Sequence, residues 1–294
     1  MKIEPPKAEK IPFKHEIHGD VRIDNYYWLN ERDNDKVIDY LNNENSYTDK
    51  ILKPTQKLQD ELFQEMKSRI KEDDISVPYY YNEYWYMRKY EKGKDYPVYL
   101  RKYKSLDADE ELLVDVNELA KGYSYFQLRG ISISPDNKKM AYAVDTLSRR
   151  IYTIKIKNLE TGEMYNEQIK NTTGGSTWAN DNKTLFYSSR EDVTLRVNKV
   201  HKHKLGSDTS MDELVYEEKD KEFSTGVYKT KSNKFLVIGS GSTLTSEVRY
   251  IDANTPDEKP KLFLKRSEGH EYSIDHYKND FYIKTNINDA YNFK

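Results

Sequence analysis

Few residues of this chain have types and spacings that could do chemistry. His201 and His203 stand two apart in an alternating segment, so on a strand they share one face and could grip a metal ion. No third ligand accompanies them, and we read them as strand histidines on a partly solvated face. His15, His18, His270 and His276 are isolated in sequence, without a recognisable catalytic partner. Arg149-Arg150 could hold carboxylates of a peptide or a neighbouring domain, against the plainer reading of solvated loop charges. The run Lys71-Glu72-Asp73-Asp74 lacks the alternating spacing and turn glycine of a calcium loop and reads as a solvated junction. No Gly-x-Ser-x-Gly elbow occurs. Gly174-Gly175 and Gly239-Ser240-Gly241 match neither that pattern nor a phosphate loop, and are expected to be turns. The rings of Tyr79-Tyr80-Tyr81 and Tyr84-Trp85-Tyr86 could form a ligand platform. Strand alternation instead predicts packing, half of the rings between neighbouring sheets and the rest with hydroxyls toward water. The sequence thus assigns no catalytic, cofactor-binding or metal-binding residue, and no cofactor.

The elements that would position such residues recur. Short polar turns carrying Asn82, Asn137, Asn182, Asn233 and Asn279 interrupt apolar or aromatic runs at spacings of 55, 45, 51 and 46 residues. Repeats of that length point to β-propeller blades. Four-strand units fit residues 79–81, 84–90, 96–103 and 112–116; then 126–134, 139–145, 151–158 and 163–169. A third uses 177–179, 184–189, 196–203 and 213–216, and a fourth 225–229, 234–239, 246–251 and 261–264. A fifth begins with 272–276 and 281–285 and reaches Asn292-Phe293-Lys294.

Ahead of these units, residues 1–30 read as an extended arm tied down by its rings, followed by two amphipathic helices. In the first, Val37, Tyr40, Leu41 and Glu44 share a face after Asp33 or Asn34 as N-cap. In the second, Leu58, Leu62, Met66 and Ile70 do so, with Thr55 as cap. The predicted fold is mainly β: an incomplete propeller of about four and a half four-stranded blades over 76–294, preceded by an N-terminal arm and two α-helices over 1–75. Propellers usually close with about 4 to 8 blades, and an open edge exposes unpaired backbone, so the sequence is expected to be the front of a longer protein.

Composition narrows the class. Hydrophobic residues make up 36% and charged residues 33%, while 26 Tyr and 3 Trp supply large amphipathic rings, a balance suited to stacked sheets. Cysteine is absent, which excludes disulfides, thiolate nucleophiles and Cys-ligated zinc. With 48 basic and 50 acidic side chains there is no global electrostatic case for a nucleic-acid or membrane partner. No run has signal-peptide or bilayer-spanning character, so a soluble, cytoplasmic chain is expected.

Several separated stretches, in order, resemble the oligopeptidase B branch of the prolyl oligopeptidase family of serine peptidases. They include His18-Gly19-Asp20, Asp24 with Tyr26-Tyr27-Trp28-Leu29, Tyr40-Leu41 with Glu44-Asn45, and Arg69-Ile70-Lys71-Glu72-Asp73-Asp74. Further along come Asp115-Val116-Asn117-Glu118-Leu119-Ala120, Ile133-Ser134-Pro135-Asp136, Trp178 through Tyr187, and Thr194-Leu195-Arg196. The resemblance implies a seven-bladed propeller beside an α/β-hydrolase domain whose Ser, Asp and His cleave short peptides after Arg or Lys. It implies an arm and helices that pack on the hydrolase domain, and a propeller that restricts access to short substrates. The partners implied are short basic peptides and that intramolecular domain. The catalytic domain lies outside this sequence, so no triad residue is carried over, and the chain alone is expected to be inactive. The alternative is a non-catalytic propeller module for protein–protein interaction.

Overall fold

The computed structural model describes residues 3–191 and 193–294, and its contacts divide the chain into two units, Met1–Glu72 and Asp73–Lys294. In the first, the arm is a hairpin rather than a plain extended segment: β1 (Phe13–Ile17) pairs antiparallel with β2 (Asp20–Asp24). His18 and Gly19 between them both take positive φ, as a two-residue hairpin turn requires. Trp28 is then buried, its indole N–H donating to the Glu9 carbonyl at 2.9 Å.

Helix α1 (Asp35–Leu52) starts where the sequence predicts, with the Asn34 side chain accepting from the Lys36 N–H at 2.9 Å. Helix α2 (Gln56–Ser68) starts on schedule, but Thr55 does not cap it. Its hydroxyl donates back to the Leu52 carbonyl at 2.7 Å, because the preceding Lys53–Thr55 turn leaves Thr55 in helical φ/ψ. Ile70 lies beyond the helix, and the apolar row Leu58, Leu62 and Met66 is exposed.

The second unit is a succession of antiparallel meanders. The first comprises β3 (Asp74–Ile75), β4 (Tyr79–Tyr81), β5 (Tyr84–Tyr90), β6 (Val98–Tyr103) and β7 (Glu111–Asp115). Both β3 and β4 pair with β5, interrupted at Pro78, which has no N–H to give the ladder. Val116, predicted to end a strand, opens a short helix α3 (Val116–Ala120), because the Asp115 carboxylate accepts from the Asn117 N–H at 2.9 Å.

Next comes a seven-stranded sheet: β8 (Gln127–Ile133), β9 (Lys139–Asp145), β10 (Tyr152–Asn158), β11 (Met164–Trp178), β12 (Thr184–Arg190), β13 (Val197–Lys204) and β14 (Glu213–Glu217). The two strands predicted at 163–169 and 177–179 are therefore one strand, which closes one meander against β10 and opens the next against β12. Gly174-Gly175 make this possible, and they are a bulge rather than a turn. Gly174 has φ +89°, and a Cβ on the neighbouring Gly130 would stand 1.7 Å from the Gly174 carbonyl oxygen.

The last groups are β15 (Ser224–Lys229), β16 (Phe235–Gly241), β17 (Ser246–Asp252) and β18 (Lys261–Leu264), then β19 (Tyr272–Tyr277) with β20 (Asp280–Thr285). Gly239 and Gly241 lie within β16, so they too are strand residues and not turns. Thr285 exchanges two backbone hydrogen bonds, 3.0 and 2.9 Å, with Lys294.

The core lies between successive meanders and explains the thin hydrophobic composition. The second strand of a meander is buried on both faces, so alternate residues serve different layers. Met140 and Tyr142 of β9 pack toward the first meander with Leu113 and Phe126, whereas Ala141 and Ala143 pack the other way with Ile154 and Trp178. Leu185 of β12 joins that second layer, while Phe186 packs against Leu236 and Ile238 of β16. Val237 faces Tyr272 and Ile274 in the next. Each strand of seven residues thereby buries two small clusters in place of one large one.

Candidate functional site

The asparagine turns collect the first strands of the meanders at one end. Asn82, Asn137, Asn182 and Asn233 all take positive φ, between 45° and 61°, a conformation asparagine tolerates better than most residues. The fifth turn departs from the expected pattern: Lys278, not Asn279, takes the positive φ of 55°.

The turn side chains then tie neighbouring meanders together. The Asn82 amide donates to the Pro135 carbonyl and to Asn137 Oδ1, both at 2.9 Å, and the Asn137 amide returns a bond to the Asn82 carbonyl at 3.0 Å. Asn182 Oδ1 accepts from the Asp136 N–H at 2.8 Å, and the Asn180 amide donates to the Asn233 carbonyl at 3.0 Å. The Tyr81 hydroxyl donates to Asn233 Oδ1 at 3.1 Å, spanning from the first meander to the fourth.

Within this ring lies a cavity of about 380 Å³. Tyr79 and Tyr81 of β4, Ile131 and Ile133 of β8, Trp178 of β11 and Lys229 of β15 line it, with Asn82, Asn233 and Lys231 from the turns. Trp178 is fixed by its N–H, which donates to the Ser132 carbonyl at 3.1 Å. Lys229 Nζ donates to the Trp178 carbonyl at 2.9 Å. Burial pushes the Lys229 amine down to about 8, with the Asp181 charge opposing the shift. Two lysines and no carboxylate are in the lining, so the cavity suits a chain or group with a negative end. No histidine lines it either.

The residues singled out from sequence go elsewhere, with one exception. His201 and His203 do share a face of β13. His201 stacks on Tyr187 with its Nε2 3.0 Å from Ser189 Oγ, and burial lowers its pKa. His203 Nδ1 pairs with Asp212 at 2.7 Å, and that carboxylate also accepts from the Tyr187 hydroxyl at 2.8 Å. Among the described residues no group of three His, Cys, Asp or Glu side chains is placed to hold a metal ion. His276 Nδ1 bonds Ser232 Oγ at 2.8 Å and His270 Nε2 bonds Thr285 Oγ1 at 2.8 Å, both as strand fasteners. The Arg150 N–H donates to Asp145 at 2.7 Å to shape its loop, and among the described residues neither Arg149 nor Arg150 forms an ion pair.

The exception is the tyrosine cluster. Tyr86 is buried as packing predicts, but Tyr79 is 61% and Tyr81 46% exposed, and both face the cavity. They belong to the first strand of a meander, which borders the open centre and not a second sheet.

Sequence reasoning missed an ionic cluster across the third and fourth meanders. Arg266 bonds Glu218 at 2.7 Å and Glu247 at 3.1 Å, lies 3.9 Å over the Phe223 ring, and donates its backbone N–H to Glu247. Arg249 meets Glu247 at 2.6 Å. Burial alone would raise both carboxyls, yet the guanidinium and backbone donors hold them below the usual range. Its members are 19 and 48 residues apart, with no local motif that could have revealed them.

A succession of antiparallel meanders whose first strands border a common cavity is the architecture expected within a β-propeller domain. The description "Prolyl oligopeptidase, N-terminal beta-propeller domain" matches residues 5–294, and the chain belongs to that family. It is 39% identical to dipeptidyl aminopeptidase BI of Pseudoxanthomonas mexicana, over 99% of this chain and 42% of the relative. It is 36% identical to Protease 2 of Moraxella lacunata, over 96% and 42%. Among solved structures, oligopeptidase B from Leishmania major superposes with a TM-score of 0.92 at 30% identity, covering all of this chain and 44% of that one. The chain thus spans less than half the length of these relatives. Among the described residues no helix is long and apolar enough to cross a membrane.

Proposed function

We propose that this chain is the access-controlling part of a serine peptidase that, joined to an α/β-hydrolase domain, cleaves short peptides after Arg or Lys. The observation that carries the reading is the cavity enclosed by first strands from four successive meanders, in a chain similar throughout to Protease 2 and to oligopeptidase B. A passage of that kind admits an extended peptide and excludes a folded protein. In this reading the meanders are four blades and part of a fifth out of seven. The arm and helices of residues 1–75 pack on the hydrolase domain, for which the exposed Leu58, Leu62 and Met66 row of α2 offers an apolar surface. In this reading the catalytic residues belong to the hydrolase domain, and the chain by itself is expected not to hydrolyse peptides.

Mass-spectrometric mapping of cleavages in a mixed peptide library tests the proposal. A longer polypeptide carrying this chain and a hydrolase domain is expected to cut after Arg and Lys, and the isolated chain is expected to cut nothing. Cuts after other residues would refute the specificity. A partner protein captured at the cavity by a chain that never works with a hydrolase would favour the binding-module alternative.

A further inference from the structure

We propose that the cavity at the asparagine-turn end binds a compact oxyanion group, a peptide carboxylate or a phosphate, between the ammonium groups of Lys229 and Lys231, with the Asn233 amide at its rim. The inference deepens the reading of this cavity as a peptide passage and rests on that reading for its biological role, though not for its test.

Charge in the lining is one-sided: two lysines and no aspartate or glutamate. Among the described residues neither lysine forms an ion pair. Lys229 spends one N–H on the Trp178 carbonyl, and an ammonium has three to give. Asp181, whose charge acts on Lys229, and Asp275, bonded to the Lys231 N–H, are not in the lining and are engaged elsewhere. Asp181 accepts from the Thr184 hydroxyl at 2.6 Å and from the Lys183 and Thr184 N–H groups at 2.9 Å. Asp275 accepts from the Lys231 and His276 N–H groups, both at 2.8 Å. Burying a cation is unfavourable, and burial lowers the basicity of Lys229 even though the Asp181 charge opposes the shift. An oxyanion entering between the two ammonium groups supplies the missing charge and accepts the spare N–H donors, an arrangement stronger than a neutral hydrogen bond. Trp178, which is buried, and Tyr79 line the site with aromatic surface.

Isothermal titration calorimetry of the 294-residue chain at low ionic strength tests this with three probes: inorganic phosphate, an acetylated tripeptide acid and the same tripeptide as its amide. The expected result is saturable one-to-one binding of phosphate, of the peptide acid or of both, and none of the amide. Phosphate alone identifies a phosphate site, and the acid alone identifies a peptide C-terminus. Lys231→Gln, at an exposed position, is expected to weaken binding roughly tenfold or more, and Lys229→Met to abolish it. Absence of heat with either anion would overturn the inference, as would equal affinity for acid and amide or unchanged affinity in Lys231→Gln. A chain that binds the anion while the longer polypeptide lacks Arg and Lys specificity would keep this site and lose the peptidase reading.

Discussion

Gly130→Ala is the substitution for which the structure gives the clearest magnitude. Gly130 has φ +67°, and an added Cβ would meet the Gly174 carbonyl oxygen at 1.7 Å and its carbon at 2.9 Å. Gly93 has a similar φ of +77° with nothing within 4 Å of a new Cβ, so Gly93→Ala isolates the backbone cost alone. That cost is about 1–2 kcal/mol. Gly130→Ala adds to it a clash between two backbones, which cannot be relieved by a rotamer change. One strand must retreat by at least ~1 Å inside a close-packed layer. The retreat breaks one or two hydrogen bonds at the β8 and β11 bulges, each about 1 kcal/mol. The sum is about 2–4 kcal/mol, a large fraction of an ordinary domain's stability. Urea denaturation followed by fluorescence of the three tryptophans reads the difference. Gly130→Ala no less stable than Gly93→Ala would refute the close approach on which the shared strand depends.

Other consequences are equally accessible. Arg266→Met leaves the Glu218 and Glu247 carboxylates buried without their main partner, and at pH 7 is expected to destabilise by about 3–5 kcal/mol in urea melts. Both carboxyls are depressed in the folded protein, so their contribution is present above the ordinary glutamate range and is lost as pH falls through the folded values. The gap between Arg266→Met and wild type should therefore narrow in acid. Lys229, lowered to about 8 in the folded chain, binds fewer protons there than when unfolded between that pH and its ordinary range. Wild-type melting temperature is thus expected to gain on Lys229→Met as pH rises from 8 toward 10. Asn137→Ala, which loses a positive-φ residue and its bonds to Asn82, is expected to cost about 1–2 kcal/mol in the same melts, whereas Asn279→Ala costs less than ~0.5 kcal/mol.

Features fixed by local chemistry were legible in the sequence. The Asn34 cap and the recurring asparagine turns each depend on a side chain acting on its own neighbours, and all but Asn279 behave as their spacing suggests. Lys278 takes the strained conformation there because the fifth turn places it one residue earlier, a shift that polarity alone does not encode. Features that depend on partners distant in sequence were hidden. Gly174-Gly175 reads as a turn until Gly130 is seen against it, and only then does β11 emerge as one strand. The cavity was hidden for the same reason: Tyr79, Trp178 and Lys229 belong to three separate meanders, and each alone is an ordinary strand residue. Asp115 carried a usable signal, since an aspartate before Val116-Asn117-Glu118 is a helix start, but the preceding apolar run favoured a strand.

The central claim is that this domain admits peptides and keeps folded proteins out. The most direct measurement is kcat/KM of a longer polypeptide carrying this chain and a hydrolase domain on substrates of increasing length, each with a single arginine in the same local sequence. The account predicts efficient turnover of short peptides, a steep fall as length grows, and no cleavage of the same site presented in a folded protein. Cleavage of the folded protein at the rate of the short peptide would contradict it.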